Sequence, residues 1–563
     1  MSRPGVTHQS SQPRWCHLQS RIVAGSADYR LSFANSEMKH QLERNTVIDQ
    51  LYYLYDQGSL RTPPAWPPDV FALAGSLLLK SGAYRQTMLA WPPSASWEAK
   101  VGRIAKKWRG RWNKGRAAPE EVRSLWQRVL ALGGTALGSI SDNRDLCVTL
   151  VELCAIADET SFSLGIPPSS GDEFDKYYIH ATELLTNAEH GATLCENIHP
   201  SKARVLPKMH TPQSGLTFRS FSLHLALYLS NEMRPEWVTV PSNPDKHKLN
   251  LLLIPWPYLV EKNWFRKVSG EIKMPPDYGF FEYLPDDSSI GIDLKTASLL
   301  DSARRKYSRI DGVVFPELAL TQRQYLQVRK VVLSRSAFLM AGVAAAGKSS
   351  HGGKSNCVHF DLPLPNEFHS VHIRQAKHHR WRLDRSQVAR YGLEGRLGAR
   401  KFLWEHIEIE DRCIYFVALR PWLSVSVLIC EDLARPDPVG DVVRAVGPNL
   451  VVSLLLDGPQ LSSRWSARYA AALADDPGCS VLTLTSIGMA NLSCPLGKKD
   501  PGYRFVALWR NGGGGQAEAI QLPESREGIV LQVNVKEQKE YTADGRNDYG
   551  ATGYPILEGY GFV

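Results

Sequence analysis

The sequence predicts an α/β protein in which a layered α/β domain follows an all-α N-terminal domain. Two observations carry this prediction. Apolar residues recur at helical spacing up to about residue 200, and short apolar runs that end in Gly, Pro or polar residues dominate after residue 245. A chain of 563 residues is also too long for one ordinary core. We therefore expect a disordered leader at 1–34, a helical domain at 35–196, a connector or the start of the second domain at 197–244, and the α/β domain at 245–563.

The N-terminal helices are predicted from apolar spacing and from boundary residues. One stripe at helical spacing consists of Trp97, Val101, Ile104 and Trp108. The next segment, PEEVRSLWQRVLAL, has Pro119 at a first helical position and a Gly-Gly pair that ends it. The segments 142–159 and 172–190 show the same apolar spacing. Together these segments predict an all-α domain.

After residue 245 the apolar runs predict strands. In chain order they are KLNLLLIPW, DGVVFPE, AFLMAGV, NCVHFDL, SVHIRQAK, RCIYFVAL, SVSVLIC, NLVVSLLLDG, GCSVLTLTS, YRFVALWR and GIVLQVNV. Helical segments separate several of them, at 297–307, 438–447 and 462–476. Strands that alternate with helices and hairpins indicate a layered α/β domain.

The composition is that of a soluble globular protein, with 43% hydrophobic residues, 22% charged residues and a formal net charge of +9. This charge permits an anionic partner without requiring one. The nine cysteines include no C-x-x-C pair, so neither a disulfide framework nor a zinc knuckle is expected. The first residues lack the apolar core of a secretory signal, and the longest apolar runs are too short to cross a bilayer. We therefore expect a cytoplasmic protein.

A match to the phosphate-binding P-loop, GVAAAGKS at 342–349, raises the alternative of a nucleotide-binding protein. Such a loop needs a strand before it and a helix after it, so that backbone N–H groups meet the phosphates. A predicted strand precedes the motif, but SSHGGKSN and then the strand NCVHFDL follow it, and paired glycines do not begin a stable helix. The run LVVSLLLD resembles a magnesium-binding strand, but apolar strands that end in Asp are common in α/β proteins. We therefore interpret 337–361 as a hairpin and keep nucleotide binding as an alternative.

Three predicted strands end in reactive side chains: DGVVFPE at Glu317, SVHIRQAK at Lys377 and SVSVLIC at Cys430. Because chemistry in open α/β sheets collects at the carboxyl ends of strands, we expect these side chains to meet. The carboxylate can take the thiol proton, the thiolate can attack a carbonyl or nitrile carbon, and the ammonium can face the developing oxyanion. The ammonium of Lys377 is also expected to lower the pKa of the Cys430 thiol.

These residues resemble the nitrilase, or carbon–nitrogen hydrolase, superfamily, whose members carry a Glu–Lys–Cys triad in the same chain order. FPE is similar to the motif of the glutamate, RQAKHHRW to that of the late-strand lysine, and LICEDLARPDP to the I-C-x-[DE] motif of the cysteine. The ICED motif at 429–432 is especially similar to the motif in the glutaminase half of glutamine-dependent NAD synthetases. KLNLLLIPWP resembles the opening strand and GIVLQVNV the closing strand, so the resemblance covers about residues 245–540.

The resemblance implies a nitrilase-like α-β-β-α sandwich that forms a homo-oligomer. It also implies a thiol amidohydrolase that cleaves a non-peptide C–N bond of a small amide or nitrile through an acyl-enzyme on Cys430, with no metal or organic cofactor. A second glutamate between the lysine and the cysteine would brace the lysine. The candidates are Glu394, Glu405, Glu408 and Glu410. We select Glu405, which is 25 residues before Cys430. The sequence of the loop after Lys377 differs from the motif of the family, so the resemblance does not identify the substrate.

Other interpretations remain. One is a catalytically quiet nitrilase-like scaffold or binding module, since related domains are attached to larger assemblies, including reverse transcriptases of bacterial defence systems. The run KVGRIAKKWRGRWNKGR at 100–116 combines eight basic residues with two tryptophans, a texture typical of single-stranded nucleic-acid contacts and also of a helix with a solvated basic face. The histidines near Lys377, at 369, 372, 378 and 379, lack a completing ligand set, so no metal site is expected.

Overall fold

The structure is a computed structural model of the chain. It describes residues 45–56, 58–86, 95–167, 176–187, 189–240, 247–268, 275, 277–286, 291–346, 354–364, 370–398, 402–494, 501–550 and 552–563. The predicted leader at 1–34 lies outside these residues. Among the described residues, no helix combines the length and the apolar character needed to cross a membrane.

Helices account for the first part of the described chain. They are α1 Val47–Leu54, α2 Pro67–Ser81, α3 Ala95–Gly115, α4 Glu120–Ala131, α5 Arg144–Thr160 and α6 Lys176–Thr186. Thr46 caps the first of them and Asn143 caps α5, each through a side-chain oxygen that accepts a backbone N–H. The predicted stripe that runs from Trp97 to Trp108 is buried on one face of α3.

Strands and further helices follow. The strands are β1 Arg204–Pro207, β2 Leu225–Tyr228, β3 Arg234–Thr239, β4 Lys248–Leu253, β5 Phe265–Lys267, β6 Tyr278–Tyr283, β7 Gly312–Thr321, β8 Phe338–Ala346, β9 Lys354–Pro363, β10 Ser370–Ala376, β11 Arg382–Asp384, β12 Phe402–Glu405, β13 Cys413–Arg420, β14 Leu423–Ile429, β15 Leu450–Leu454, β16 Ser480–Leu484, β17 Phe505–Arg510, β18 Ala517–Gln521, β19 Ile529–Gln538 and β20 Thr552–Phe562. The helices are α7 Ile292–Tyr307, α8 Gln322–Leu333, α9 Arg385–Arg390, α10 Glu394–Leu397, α11 Asp441–Val446, α12 Trp465–Asp475 and α13 Ile487–Leu492.

Two large sheets organise the second part. Within the described residues, the first sheet has the order β10-β9-β8-β7-β4-β19-β20 and the second the order β18-β17-β16-β15-β14-β13-β3. Their inner faces share one apolar core, to which β4, β7, β8 and β9 contribute on one side and β14 to β17 on the other. Helices α7 and α8 cover the outer face of the first sheet, and α11 and α12 cover that of the second. The predicted mixed α/β fold is therefore confirmed.

The N-terminal helices pack onto the second sheet. Apolar side chains of α2, α3 and α5 belong to the same buried cluster as those of α11 and α12. The segment 197–244 joins the two parts, because its strand β3 pairs in parallel with β13, from Arg234 with Cys413 to Thr239 with Ala418. The helices therefore share a core with the α/β layers in the described structure.

A small sheet of order β11-β12-β6-β5 lies over the carboxyl ends of the central strands. With α9 and α10 we call it the lid. Its buried residues share an apolar cluster with Leu318 within β7, with Leu456 after β15, and with Met489 in α13. The sequence analysis did not predict β5, β6 or β12, whose runs contain charged residues and Gly.

The hairpin interpretation of the P-loop match is confirmed. Strands β8 and β9 are antiparallel partners, from Leu339 with Asp361 to Ala346 with Lys354. Gly342 lies within β8, while the motif residues at 347–349 lie outside the described residues.

Candidate active site

Glu317 lies on β7, where the pairing with β8 is interrupted. The predicted strand end is placed differently, because β7 continues to Thr321 with a shift in register between Phe315 and Leu320. Leu318 has φ +49°, a left-handed conformation that breaks the regular alternation of side chains. The interruption turns Glu317 toward the carboxyl ends of the neighbouring strands, where it is 1% exposed.

Gly342 makes room for this interruption. A Cβ at residue 342 would lie 2.2 Å from the carbonyl oxygen of Pro316 and 2.5 Å from the Cα of Glu317. Both atoms belong to the backbone, so neither can rotate away. The first glycine of the apparent P-loop motif therefore serves the position of Glu317.

We expect Gly342→Ala to shift β7 at Glu317 and to lower the free energy of unfolding by about 1–3 kcal/mol, the usual cost of overpacking. The matched control is Gly102→Ala in α3, because a Cβ there meets nothing within 4 Å. Urea denaturation of both variants would test this. Equal midpoints for Gly342→Ala and the parent protein would contradict the close approach.

Lys377 and Cys430 follow strands on opposite sheets. Lys377 comes directly after β10, and Cys430 opens a short 3₁₀ turn, Cys430–Ala434, directly after β14. Cys430 has φ +49°, a conformation that costs energy for a residue with a side chain and is frequent at reactive sites. Both side chains are buried, at 1% and 2% exposure.

Two carboxylates hold the ammonium of Lys377. Its Nζ lies 2.7 Å from Oε1 of Glu317 and 2.7 Å from Oε2 of Glu405. Glu405 is the last residue of the lid strand β12, and its Oε2 also accepts the backbone N–H of Trp381 at 3.0 Å. The lid thus supplies one member of the buried cluster.

The other candidate glutamates lie elsewhere. Glu410 pairs with Arg374, Glu394 is exposed in the first turn of α10, and Glu408 continues the chain beyond β12. Of the four candidates, the structure brings Glu405 to Lys377.

Asn356 is a member of the cluster that the sequence analysis missed. Its Nδ2 donates to Oε1 of Glu317 at 2.7 Å and to Oε1 of Glu405 at 2.9 Å. Its backbone carbonyl oxygen accepts the backbone N–H of Lys377. The sequence did contain a signal for it, because Asn356 is a polar residue in the apolar run NCVHFDL and a buried side-chain amide needs hydrogen-bond partners.

Asp432 is the second residue that the sequence analysis missed. Its carboxylate accepts the backbone N–H groups of His378 and His379 and lies 2.9 Å from Nδ1 of His379. Asp432 is two residues after Cys430, so it ties the loop of the lysine to the loop of the cysteine. The signal in the sequence was the Asp that ends the ICED motif at 429–432.

The remaining histidines show no metal set. His372 lies 2.9 Å from Asp361, and His369 is outside the described residues. Among the described residues, no group of His, Cys, Asp and Glu could hold a metal ion.

One oxygen of Glu317 is left without a partner. Oε1 accepts hydrogen bonds from Lys377 and Asn356, whereas the buried Oε2 has none among the described residues. Burial raises the pKa of Glu317, with Glu405 adding to the effect and Lys377 opposing it. A buried carboxylate with a raised pKa and an open oxygen is suited to accept a proton.

The pKa of Cys430 shifts in the opposite direction to the expectation from sequence. Burial and the charge of Glu317 raise it well above its usual value, and Lys377 opposes them only in part. Burial alone would lower the pKa of Lys377, but Glu317 and Glu405 raise it well above its usual value. Burial and the charge of Glu317 thus outweigh the cation of Lys377, which two carboxylates already neutralise.

Comparisons with known proteins give structural neighbours only, since no family model and no curated protein matches the chain. One solved structure is a glutamine-dependent NAD⁺ synthetase from Acinetobacter baumannii, at 12% identity and a TM-score of 0.31, over 55% of this chain and 48% of that chain. The chain therefore spans about half the length of that enzyme.

Two further neighbours are smaller. Nit3 of Saccharomyces cerevisiae, a member of branch 10 of the nitrilase superfamily, matches at 10% identity with a TM-score of 0.30, over 50% of this chain and 94% of its own. An amidase from Nesterenkonia sp. matches at 12% identity with a TM-score of 0.31, over 51% of this chain and 89% of its own. These neighbours belong to the superfamily that the sequence resembles. At such values, the case for a reaction rests on the side chains described above.

Proposed function

We propose that this protein is a thiol-dependent amidohydrolase with a nitrilase-like α-β-β-α sandwich. One observation carries the proposal: the Lys377 ammonium lies between Glu317 and Glu405, while the buried Oε2 of Glu317 has no partner among the described residues. The charges of Glu317 and Lys377 both act on the pKa of the Cys430 thiol. Glu317 is the general base, Cys430 the nucleophile and Lys377 the cation that faces the oxyanion. Glu405 is a positioning residue, because it holds Lys377.

The first half of the reaction forms an acyl-enzyme. The Cys430 thiol gives its proton to Oε2 of Glu317 while the sulfur bonds to the carbonyl carbon of the amide. The carbonyl electron pair moves to oxygen, and the resulting negative charge is stabilised by Lys377. The C–N bond then breaks, and Glu317 returns the proton to the leaving nitrogen.

The second half regenerates the thiol. Glu317 takes a proton from water, whose oxygen attacks the thioester carbon, and the charge on the oxyanion again faces Lys377. The C–S bond breaks, the acid leaves, and the proton held by Glu317 returns to sulfur. These steps use side chains of this chain alone, and the raised pKa of the thiol is overcome because proton loss and attack occur together.

Intact-protein mass spectrometry with a panel of small amides, nitriles and glutamine tests the proposal. We expect a transient mass increase equal to the acyl group, and its loss in Cys430→Ala. Cys147→Ala is the matched control, since that thiol is also buried but lies in the N-terminal helix α5. An adduct that persists in Cys430→Ala would contradict the assignment.

A second candidate is a catalytically quiet scaffold, which is favoured by the burial of Cys430 at 2% exposure. In that case neither an acyl adduct nor product would form with any member of the panel. Binding of nucleic acid by such a scaffold is not supported by α3, because Trp108 and Trp112 are buried and cannot stack on bases.

Assembly and location complete the proposal. A homo-oligomer could not use the outer helices α11 and α12 of the second sheet for subunit contacts, because the N-terminal helices already cover them. Sedimentation velocity would distinguish a monomer from an assembly. A cytoplasmic location is favoured by the described cysteines, all of which are free thiols.

A further inference from the structure

A cavity of about 470 Å³ lies on one side of the lid. We call it the basic pocket. Its polar lining comes from Lys262, Ser386, Arg390, Tyr391, Asn491 and Cys494. It is thus formed where the lid meets α13, at the carboxyl ends of the central strands.

The two cations of the basic pocket have no acidic partner among the residues that the structure describes. Lys262 and Arg390 are exposed, and neither forms an ion pair within the described residues. None of the described residues that line the pocket is acidic. Gly392, with φ +62°, keeps the space beside Lys262 open, because a Cβ there would lie 2.5 Å from its Nζ. Two unneutralised cations around one cavity favour an anion.

Tyr391 extends from the basic pocket to the segment that follows β15. Its side chain lines the pocket and belongs to the same buried apolar cluster as Leu318, the neighbour of Glu317. Its hydroxyl lies 3.4 Å from Oδ1 of Asp457, on the segment that follows β15. Strand β15 is the parallel neighbour of β14, and Cys430 comes directly after β14. Tyr391 therefore links the wall of the pocket to the segment beside the strand that Cys430 follows.

We infer that the basic pocket binds an anionic group of the substrate, a carboxylate or a phosphate, while the amide lies at Cys430. This inference rests on the proposed function and narrows it to amides that carry a negative charge. Lys262 and Arg390 select such substrates over neutral amides of the same length. Because both cations are exposed, the selection weakens as ionic strength rises.

Kinetics with matched amides test the inference. We compare glutaramate, its phosphonate analogue and valeramide, a neutral amide of similar length. The kcat/KM for an anionic amide should exceed that for valeramide, and Lys262→Met or Arg390→Met should lower this ratio about tenfold each. Lys330→Met is the matched control, because Lys330 is an exposed lysine on α8. Whichever of glutaramate and the phosphonate is preferred identifies the anion.

A binding measurement separates the two proposals. Calorimetry of Cys430→Ala with glutaramate and with the phosphonate should show binding of at least one of them, which Lys262→Met weakens. If the anions bind in this way but the parent protein hydrolyses no amide, the basic pocket stands and the proposed function fails. If valeramide is hydrolysed as well as both anionic amides, or if both substitutions leave the ratio unchanged, the inference about the pocket is wrong while the amidohydrolase stands.

Discussion

Glu317→Gln should lower kcat by about 10²–10⁴-fold while leaving the melting temperature unchanged or raised. The amide of glutamine has nearly the shape of the carboxylate, but it cannot accept the thiol proton at the position of Oε2. Stability should not fall, because burial raises the pKa of Glu317 and so makes its ionised form costly to the folded state. A group whose pKa is raised by folding contributes stability at low pH, and that contribution is lost as the pH rises through its folded pKa. Glutamine carries no such charge.

The pH profile gives an independent readout of the same residue. In the proposed mechanism the ionised form of Glu317 is the active one, so kcat/KM should rise with pH through a pKa above the usual value of 4.5. The pKa of Lys377 lies well above 10.5, so no alkaline fall is expected from loss of the cation near neutral pH. The profile should therefore have an acidic limb that Glu317→Gln removes.

The control for this experiment is Glu394→Gln, which changes an exposed carboxylate on the lid helix α10. It should retain the acidic limb and the full rate. An unchanged limb in Glu317→Gln would assign the proton transfer to another group. Lys377→Met is a poorer test, since it would leave two buried carboxylates without their cation and destabilise the fold by about 3–5 kcal/mol.

Sequence reasoning selected Glu317, Lys377 and Cys430 as candidates because each follows an apolar run, and such runs are the strongest signal of buried strands. Glu317, Lys377 and Glu405 are brought together from three separate segments of the chain. Asn356 and Asp432 were not predicted, because their roles depend on which segments of the chain meet in the fold. The spacing of residues along the sequence does not show which segments meet.

The pKa of Cys430 shows a second limit of the sequence. A lysine near a cysteine predicts an acidic thiol, provided that the lysine acts on it alone. Here burial raises the pKa of the thiol, and Glu317 and Glu405 each lie 2.7 Å from the cation that would oppose this rise. The direction of the shift depends on burial and on the neighbouring charges, which only the folded arrangement defines.

The lid shows a third limit. Its strands β6 and β12 are parallel neighbours although more than a hundred residues separate them in sequence. Buried and partly exposed residues alternate along both strands, but the outward positions include aromatic residues such as Phe280 and Trp404, so the sequence shows no clear apolar–polar alternation. Short strands of this kind are stabilised by the surfaces they cover rather than by their own pattern.

Arg546→Met should lower the free energy of unfolding by about 3–5 kcal/mol, because it breaks a buried ion pair. Arg546 lies in the loop between β19 and β20 and is 1% exposed. Its guanidinium lies 2.9 Å from Asp158 in the N-terminal helix α5 and 2.9 Å from Asp544, and it donates to the carbonyl oxygen of Phe221. Methionine would fill most of the space but would leave two buried carboxylates without a cation.

The same contacts predict how this loss depends on pH. The charge of Arg546, helped by backbone N–H donors, holds the pKa of Asp158 below its usual value despite full burial. A carboxyl with a depressed pKa stabilises the fold above its unfolded pKa, and this stabilisation is lost as the pH falls through the folded pKa. Arg546→Met should therefore lose most stability near neutral pH, and the difference from the parent protein should shrink in acid.

A double variant distinguishes a buried charge from simple loss of packing. If the unpaired carboxylate of Asp158 is the cause, adding Asp158→Asn to Arg546→Met should recover part of the loss; if packing is the cause, the two losses should add. Arg468→Met, at an exposed arginine on α12, is the matched control and should change stability little. Urea denaturation followed by circular dichroism compares the parent protein, the two single variants, the double variant and the control. Because Asp158 belongs to the N-terminal helices and Arg546 to the C-terminal loop, a large loss in Arg546→Met with recovery in the double variant would show that one buried ion pair joins the two ends of the described chain.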